Sequence, residues 1–283
     1  MLHEAAPAKI NLFLHAGAQR EDGYHELESL VVFTGIGDDL TFEAADALSL
    51  ALDGPFAAAL KNEPDNLVLR AARALSAHAG ARITLTKNLP VASGIGGGSA
   101  DAAAALRGLM QLWKLAVPPQ ALHEIALSLG SDVPVCLASA PAWMTGRGEH
   151  IQAVHLSVNA AMVLANPGVS VSTAEVFANL EDRTGMGAIN PDRIRSTQEL
   201  CEYLKDTRND LEAPARAIAP VISDVLAALS KSGAMLARMS GSGATCFGIY
   251  ENDAAANAAA VAISKTQPGW WVKATNIASS LSP

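Results

Sequence analysis

Four glycines crowd into five positions at Gly94, Gly96, Gly97 and Gly98, between a strand-like segment and a helix-like one. Glycine admits backbone angles closed to other residues and lets amide groups press against a ligand. The helix that follows is expected to begin around Ser99 or Asp101, and its free N–H groups and positive dipole end favour an anion there. Phosphate is the natural candidate. An isolated glycine pair would read as a tight turn, but this density between strand and helix points to phosphate. Two familiar phosphate loops are excluded. A Walker A loop needs Lys-Ser/Thr after its last glycine, where this chain has Ser99-Ala100, and the GxGxxG fingerprint fails because Ser99 stands three positions after Gly96.

A second set of residues has the chemistry to act beside a phosphate. Lys9 and Asn11 share one face of an alternating segment whose other face carries Ile10, Leu12 and Leu14. The plain reading is a solvated face with a snorkelling lysine. Asp132 precedes Val133-Pro134 at a helix start, where an aspartate is ordinarily an N-cap. Spacing cannot show that Lys9 and Asp132 meet. If they do, the lysine would hold the carboxylate ionised, suited to orient a substrate hydroxyl and accept its proton late in transfer.

The elements that must position these residues follow from periodicity. A strand covers Lys9 to Leu14, and a helix carries Val68, Ala71, Ala72 and Leu75 after the N-cap Asn66, with Gly80 as its stop. Arg82 to Thr86 alternates as a strand, runs into the glycine loop, and is followed by a helix with Ala102, Ala105, Leu106, Leu109 and Trp113 on one face. Leu122, Ile125, Ala126 and Leu129 mark the next helix, ending at Gly130. Beyond about residue 155 come a strand at Ala161 to Asn166 and a capping box Ser172-Thr173-Ala174-Glu175 opening a helix with Phe177. Glu181 to Thr197 is polar and reads as a surface excursion. A helix through Ile222, Val225, Leu226 and Leu229 then ends at Gly233, ahead of strands at Met235 to Met239 and Cys246 to Tyr250. A helix at Asp253 to Lys265 and a strand at Trp271 to Ile277 close the chain. With the helix after residue 209 counted as an insertion, this half reads β-α-β-β-α-β, the split ferredoxin-like order. No fixed repeat period is visible. Two α+β domains, 1–155 and 156–283, are expected.

Bulk properties set outer limits. Of 283 residues half are apolar and 17% charged, which excludes a disordered chain and supports a sizeable core. Twenty basic against 28 acidic side chains leave a formal charge of −8, so nucleic acid and anionic membrane are not expected partners. Cys136, Cys201 and Cys246 are far apart, which excludes a disulfide framework and any CxxC site, and no HExxH pattern exists among the histidines. The opening MLHEAAPAKINL lacks a long apolar signal run, and no segment approaches about 18 unbroken apolar residues. A cytoplasmic protein without a metal site of its own is the expectation.

Taken together, these segments resemble the GHMP small-molecule kinases. The matching pieces, in family order, are PAKINLFL (Pro7 to Leu14), DGYHEL (Asp22 to Leu27), DNLVLRAA (Asp65 to Ala72), LPVASGIGGGSADAA (Leu89 to Ala103), LGSDVPVCL (Leu129 to Leu137), VSTAEVF (Val171 to Phe177) and SGSGATCF (Ser240 to Phe247). PAKINLFL with DGYHEL narrows the resemblance to members whose substrate carries a cytidine diphosphate. The resemblance implies a ribosomal-S5-like N-terminal domain, a ferredoxin-like C-terminal domain and an active site in the cleft between them. It implies ATP as co-substrate with Mg²⁺ arriving on it, the phosphates resting on Pro90, Val91, Ala92, Ser93, Gly94, Ile95, Gly96, Gly97, Gly98, Ser99 and Ala100. The γ-phosphoryl would pass to the 2-hydroxyl of a diphosphocytidyl methylerythritol, in isoprenoid precursor synthesis. Lys9 and Asp132 match the family's catalytic pair, and Asn11, Gly241 and Ser242 match substrate contacts. Tyr24 and Phe177 match the aromatic walls around the cytosine, and His25 the group on its polar edge. A monomer or weak homodimer is implied.

The chain departs from the pattern in places. Ala92 and Ser93 stand where relatives carry more glycine, and Ala100 replaces a common serine, which throws weight onto Ser99 and the backbone amides. A GHMP kinase of homoserine, mevalonate or a sugar is a competing reading that DGYHEL and Phe177 oppose, since a small aliphatic substrate needs no stacking walls. A silent nucleotide-binding regulator is opposed by the presence of both Lys9 and Asp132.

Overall fold

A computed structural model describes residues 1–21, 23–61, 65–180, 187 and 194–278. Contacts divide the chain into two compact units that interleave along it. The first comprises Met1–Lys9, Ile36–Val91 and Gly96–Ser139; the second comprises Ile10–Gly35, Ala92–Ile95 and Ala140–Pro283. Two long strands, β1 (Leu2–Gln19) and β2 (His25–Ala44), pair with each other, and each contributes residues to both units.

In the first unit, β3 (Leu48–Asp53) runs parallel to the Ala81–Thr86 strand, which pairs antiparallel with Asp39–Ala44 of β2. Between β3 and that strand lies α1 (Leu67–Leu75), capped by the Asn66 side chain, which accepts from the Val68 N–H. Its last turn closes at Ser76, short of Gly80. The strand Ala81–Thr86 is β4; its burial alternates, with Ala81, Ile83 and Leu85 inward. α2 (Gly97–Trp113) follows the glycine loop and buries Ala102 to Leu106 and Leu109, while the Trp113 indole N–H donates to Gly80 C=O. α3 (Pro119–Leu129) and the six-residue α4 (Val133–Ala138) complete the unit.

In the second unit, β5 (Ala142–Gly146) pairs antiparallel with Leu27–Val31 of β2 and with β6 (His150–Ala153). The remainder runs β7 (Ala161–Asn166), α5 (Thr173–Ala178), α6 (Thr197–Lys205), α7 (Glu212–Ile218), α8 (Val221–Lys231), β8 (Leu236–Met239), β9 (Cys246–Tyr250), α9 (Asp253–Thr266) and β10 (Trp271–Asn276). Its sheet has the order β10-β7-β9-β8, antiparallel throughout, which is the ferredoxin-like topology read from element order. α5, α6 and α7 stand in addition to this order, ahead of α8. Val163, Val176, Ile222, Val225, Leu229, Tyr250 and Ile263 form its core with Leu14 of β1. Most of the polar stretch from Glu181 to Thr197 lies outside the described residues, as does Asp22 of DGYHEL.

Two expectations need correction. β1 is buried without a break from Ala6 to Gly17, so Lys9 and Asn11, each 3% exposed, are not on a solvated face. α2 begins at Gly97 rather than at Ser99 or Asp101, because Gly96 takes the N-cap position with φ +64°, a left-handed backbone that glycine enters without the penalty a side chain brings.

Candidate functional site

β1 and the turn ahead of α4 bring Lys9 and Asp132 together. Lys9 Nζ donates to Asp132 Oδ2 at 2.8 Å, with side-chain exposures of 4% and 35%. Asp132 occupies the N-cap position of α4 but makes no capping hydrogen bond. Its carboxylate serves the lysine instead, and one side of it meets solvent. The Cys136 thiol nearby is pushed up to about 12, by burial first and by the Asp132 charge second, so it is no nucleophile at neutral pH.

The start of α2 leaves donors open beside this pair. Its first intrahelical bond runs from Ala100 N–H to Gly96 C=O, so the amides of Gly97, Gly98 and Ser99 have no helical acceptor. A Cβ built on Gly96 would lie 3.2 Å from the Lys9 Cβ, so the loop rests on the lysine's stem. Of the predicted phosphate residues, Val91, Ala92 and Gly98 are exposed, Gly94, Gly96, Gly97 and Ser99 partly so, and Pro90, Ser93, Ile95 and Ala100 are buried. Ala92 holds φ +51°, a left-handed conformation in a residue with a Cβ.

In the second unit, Ser93–Ile95 pack on the Gly241-Ser242-Gly243 turn. Thr245 N–H donates to Ser93 C=O at 3.1 Å and Ser240 Oγ to Gly94 C=O at 3.0 Å. A side chain at Gly94 would sit 2.5 Å from Ser240 O and 2.7 Å from Gly243 N, so glycine is required by this approach. Asn209 Nδ2 fixes the turn from behind, donating to Met239 C=O and Gly241 C=O at 2.8 Å each. Ser242 Oγ bonds Thr173 Oγ1 at 2.8 Å. The turn that spacing alone would assign to strand connection is therefore a brace for the glycine loop.

Asn11 Nδ2 donates to Ser29 Oγ at 2.8 Å and its backbone N–H to Ser240 Oγ at 3.1 Å. Its Oδ1 is buried with no hydrogen-bond partner among the described residues. His25 stacks on Phe177, centroids 5.3 Å apart and planes at 21°, and its Nδ1 bonds Gly17 C=O at 3.1 Å. In the neutral ring Nδ1 is thus the donor and Nε2 is left as an acceptor. Tyr24 is 49% exposed, and the Arg147 guanidinium lies 5.1 Å from its ring centroid.

Sequence reasoning missed several residues around these groups. Ser240 and Asn209 carry signals only in retrospect, being polar side chains in or near a turn. Arg147 gives none. Arg107 on α2 joins the elements bearing the pair: it donates to Glu4 Oε2 (2.8 Å) and Ala5 C=O (2.8 Å) of β1 and to Cys136 C=O (3.0 Å) of α4. Lys87 was missed too, although the alternation of Ile83 and Leu85 continues to it and assigns it the inward face.

Comparisons with known proteins cover nearly the whole chain. The family model described as the GHMP kinases N terminal domain matches residues 66–140, and that described as GHMP kinases C terminal matches residues 192–269. A Ruegeria pomeroyi protein named 4-diphosphocytidyl-2-C-methyl-D-erythritol kinase is 54% identical over 270 residues, 94% of this chain and 95% of its own. One of the same name from Cereibacter sphaeroides is 51% identical over 283 residues, 98% and 100% of the two chains. A crystal structure of 4-(cytidine 5'-diphospho)-2C-methyl-D-erythritol kinase aligns with a TM-score of 0.81 at 31% identity, covering 98% of this chain and all (100%) of the other. Homoserine kinase from Cytophaga hutchinsonii, at 18% identity and a TM-score of 0.70, shares the fold. Among the described residues no helix is long and apolar enough to cross a membrane.

Proposed function

The chain belongs to the GHMP kinase family and is a small-molecule kinase, and from that premise we propose that it transfers the γ-phosphoryl group of ATP to the 2-hydroxyl of 4-diphosphocytidyl-2-C-methyl-D-erythritol, a step of non-mevalonate isoprenoid precursor synthesis. The observation that supports the mechanism is the 2.8 Å bond between buried Lys9 and half-buried Asp132, residues far apart in sequence that meet beside the open amides of α2. Residues 1–155 and 156–283 are taken as the family's N- and C-terminal domains.

Asp132 orients the incoming hydroxyl with the carboxylate oxygen that Lys9 leaves free, and accepts its proton as the bond to phosphorus forms. Lys9 holds that carboxylate in one orientation and adds positive charge where negative charge accumulates. The amides of Gly97, Gly98 and Ser99, with the Ser99 hydroxyl, hold the triphosphate at the start of α2. Mg²⁺ would arrive with the ATP substrate, mostly ligated by phosphate oxygens and water, and would neutralise phosphate charge there. Phosphoryl transfer needs little covalent chemistry from the protein, so positioning and charge account for the rate.

The cytidine end is recognised by stacking and one edge contact. Tyr24 offers a flat apolar face, Phe177 backs the His25 ring by stacking on it, and the His25 acceptor Nε2 suits the exocyclic amine of cytosine. Asn11, by family resemblance a substrate contact, has its Oδ1 shut off from solvent here, and it serves the site by tying β1 to Ser29 and Ser240. The test is a phosphate-transfer assay on the diphosphocytidyl substrate with mevalonate and homoserine as controls. Turnover confined to the cytidine substrate is the expected result; equal turnover of a control overturns the assignment.

A further inference from the structure

Beneath the glycine loop the first unit buries three charges that the mechanism above does not use. Lys87, Asp38 and Asp101 are each no more than 3% exposed. Lys87 Nζ donates to Asp38 Oδ2 and to Asp101 Oδ2, both at 2.6 Å. Asp38 Oδ1 accepts from the backbone N–H groups of Asn88 (2.6 Å) and Leu89 (2.8 Å), where the loop begins. Asp101 lies in the second turn of α2, one turn past the end of the loop, and a Cβ built on Gly97 would lie 3.2 Å from Lys87 Nζ.

We propose that Lys87 is a positioning residue for the nucleotide: its ammonium clamps the two ends of the glycine loop through Asp38 and Asp101, and so sets the spacing of the amides offered to the triphosphate. The proposal rests on the reading of this loop as the ATP site. A plain structural anchor would need one carboxylate. Here a second is buried, and its Oδ1 has no hydrogen-bond partner among the described residues, an arrangement that costs stability. What the second carboxylate adds is a grip on α2 at the turn next to its open amides.

The charge balance fits an anion site above it. One cation and two carboxylates would leave a net negative charge under the loop. Burial first, and the like charge of Asp38 after it, push the Asp101 carboxyl up to about 7 against the pull of Lys87, so near neutral pH the cluster shares a proton. Burial pulls the Lys87 ammonium down, but the two carboxylates more than offset it and hold it charged. Of the other groups around Asp101, the Cys136 thiol of α4 stays neutral, pushed up to about 12.

The experiment compares wild type, Lys87→Met and Asp101→Ala. Binding of the non-hydrolysable analogue AMP-PNP and of CDP is titrated calorimetrically, and amide hydrogen exchange is followed across residues 88–101. Asp101→Ala leaves a neutral Lys87–Asp38 pair, so it keeps the test decisive where Lys87→Met does not fold. Both variants are expected to weaken AMP-PNP at least tenfold, to keep the CDP affinity within twofold, and to speed exchange at the loop's ends. AMP-PNP affinity within threefold of wild type in a folded variant overturns the clamp, as does an Asp101→Ala chain that fails to fold, which would make the cluster a folding element. Failure of wild type to bind AMP-PNP would count against the ATP reading alone; the exchange data need no ligand and still decide the clamp.

Discussion

Asp132→Asn separates the chemical role of this carboxylate from its structural one, because the substitution keeps the shape and changes only what the oxygens can do. The amide oxygen can still accept from Lys9 Nζ, but the other atom becomes a donor and can no longer take a proton from a hydroxyl. Loss of a general base lowers turnover by about 10²–10⁴-fold, roughly 3–5 kcal/mol on the barrier. A fully buried ion pair broken from one side costs about 3–5 kcal/mol of stability. Here the Asp132 side chain is 35% exposed and water shares its charge, so we scale the loss down to about 1–2 kcal/mol, or a few degrees in Tm for a chain of this length. The assay is steady-state phosphotransfer to the diphosphocytidyl substrate, with AMP-PNP binding and a thermal melt on the same preparation. The expected pattern is a large fall in kcat, a KM for ATP within threefold, and a small fall in Tm. A folded variant with kcat within threefold of wild type would refute the reasoning, since an amide cannot do what is asked of Asp132.

Three further predictions follow from the same geometry. Tyr24→Ala removes a stacking wall worth about 0.5–1.5 kcal/mol, so KM for the cytidine substrate should rise up to about tenfold while KM for ATP stays put; equal changes in both would remove Tyr24 from the base site. Asp101, raised to about 7 from 3.8, binds more protons in the folded chain than in the unfolded one between those values. Its contribution to stability is full below about pH 4 and lost as pH rises through about 7, so the stability of wild type relative to Asp101→Asn should fall between about pH 4 and 7, and a pH-independent difference in melts would contradict this. Ala92→Gly relieves a left-handed alanine at about 1–2 kcal/mol and loses about 0.5–1 kcal/mol through the freer unfolded chain; Tm should hold or rise by a few degrees, and a clear drop would argue against the φ of +51°.

What the sequence made legible was what depends on neighbours a few residues away. Asn66 and Ser172 were read as N-caps from type and position, and each accepts the expected backbone N–H. The strands Ala161–Asn166 and Cys246–Tyr250 were bounded to the residue, because unbroken apolar runs end there at polar or turn residues. β2 was invisible. Gly35, Gly37, Asp38 and Asp39 look like turn residues in its middle, and only the fold shows why a strand tolerates them: Asp38 is buried and accepts from Lys87, Asn88 and Leu89, which no local pattern encodes.

The same distinction explains why Asp132 looked ordinary. An aspartate ahead of a helix is stabilised as a cap by about 1 kcal/mol from one backbone N–H, and that preference is readable from position. A charge-assisted bond to a buried ammonium outweighs it, because Lys9 at 3% exposure has far more to lose without a counter-ion than α4 has without a cap. That partner comes from the other end of the unit, and Arg107 ties both elements, holding Ala5 C=O on β1 and Cys136 C=O on α4. The helix gives up its cap, and a carboxylate held by Lys9 through Oδ2, its side chain 35% open to solvent, remains.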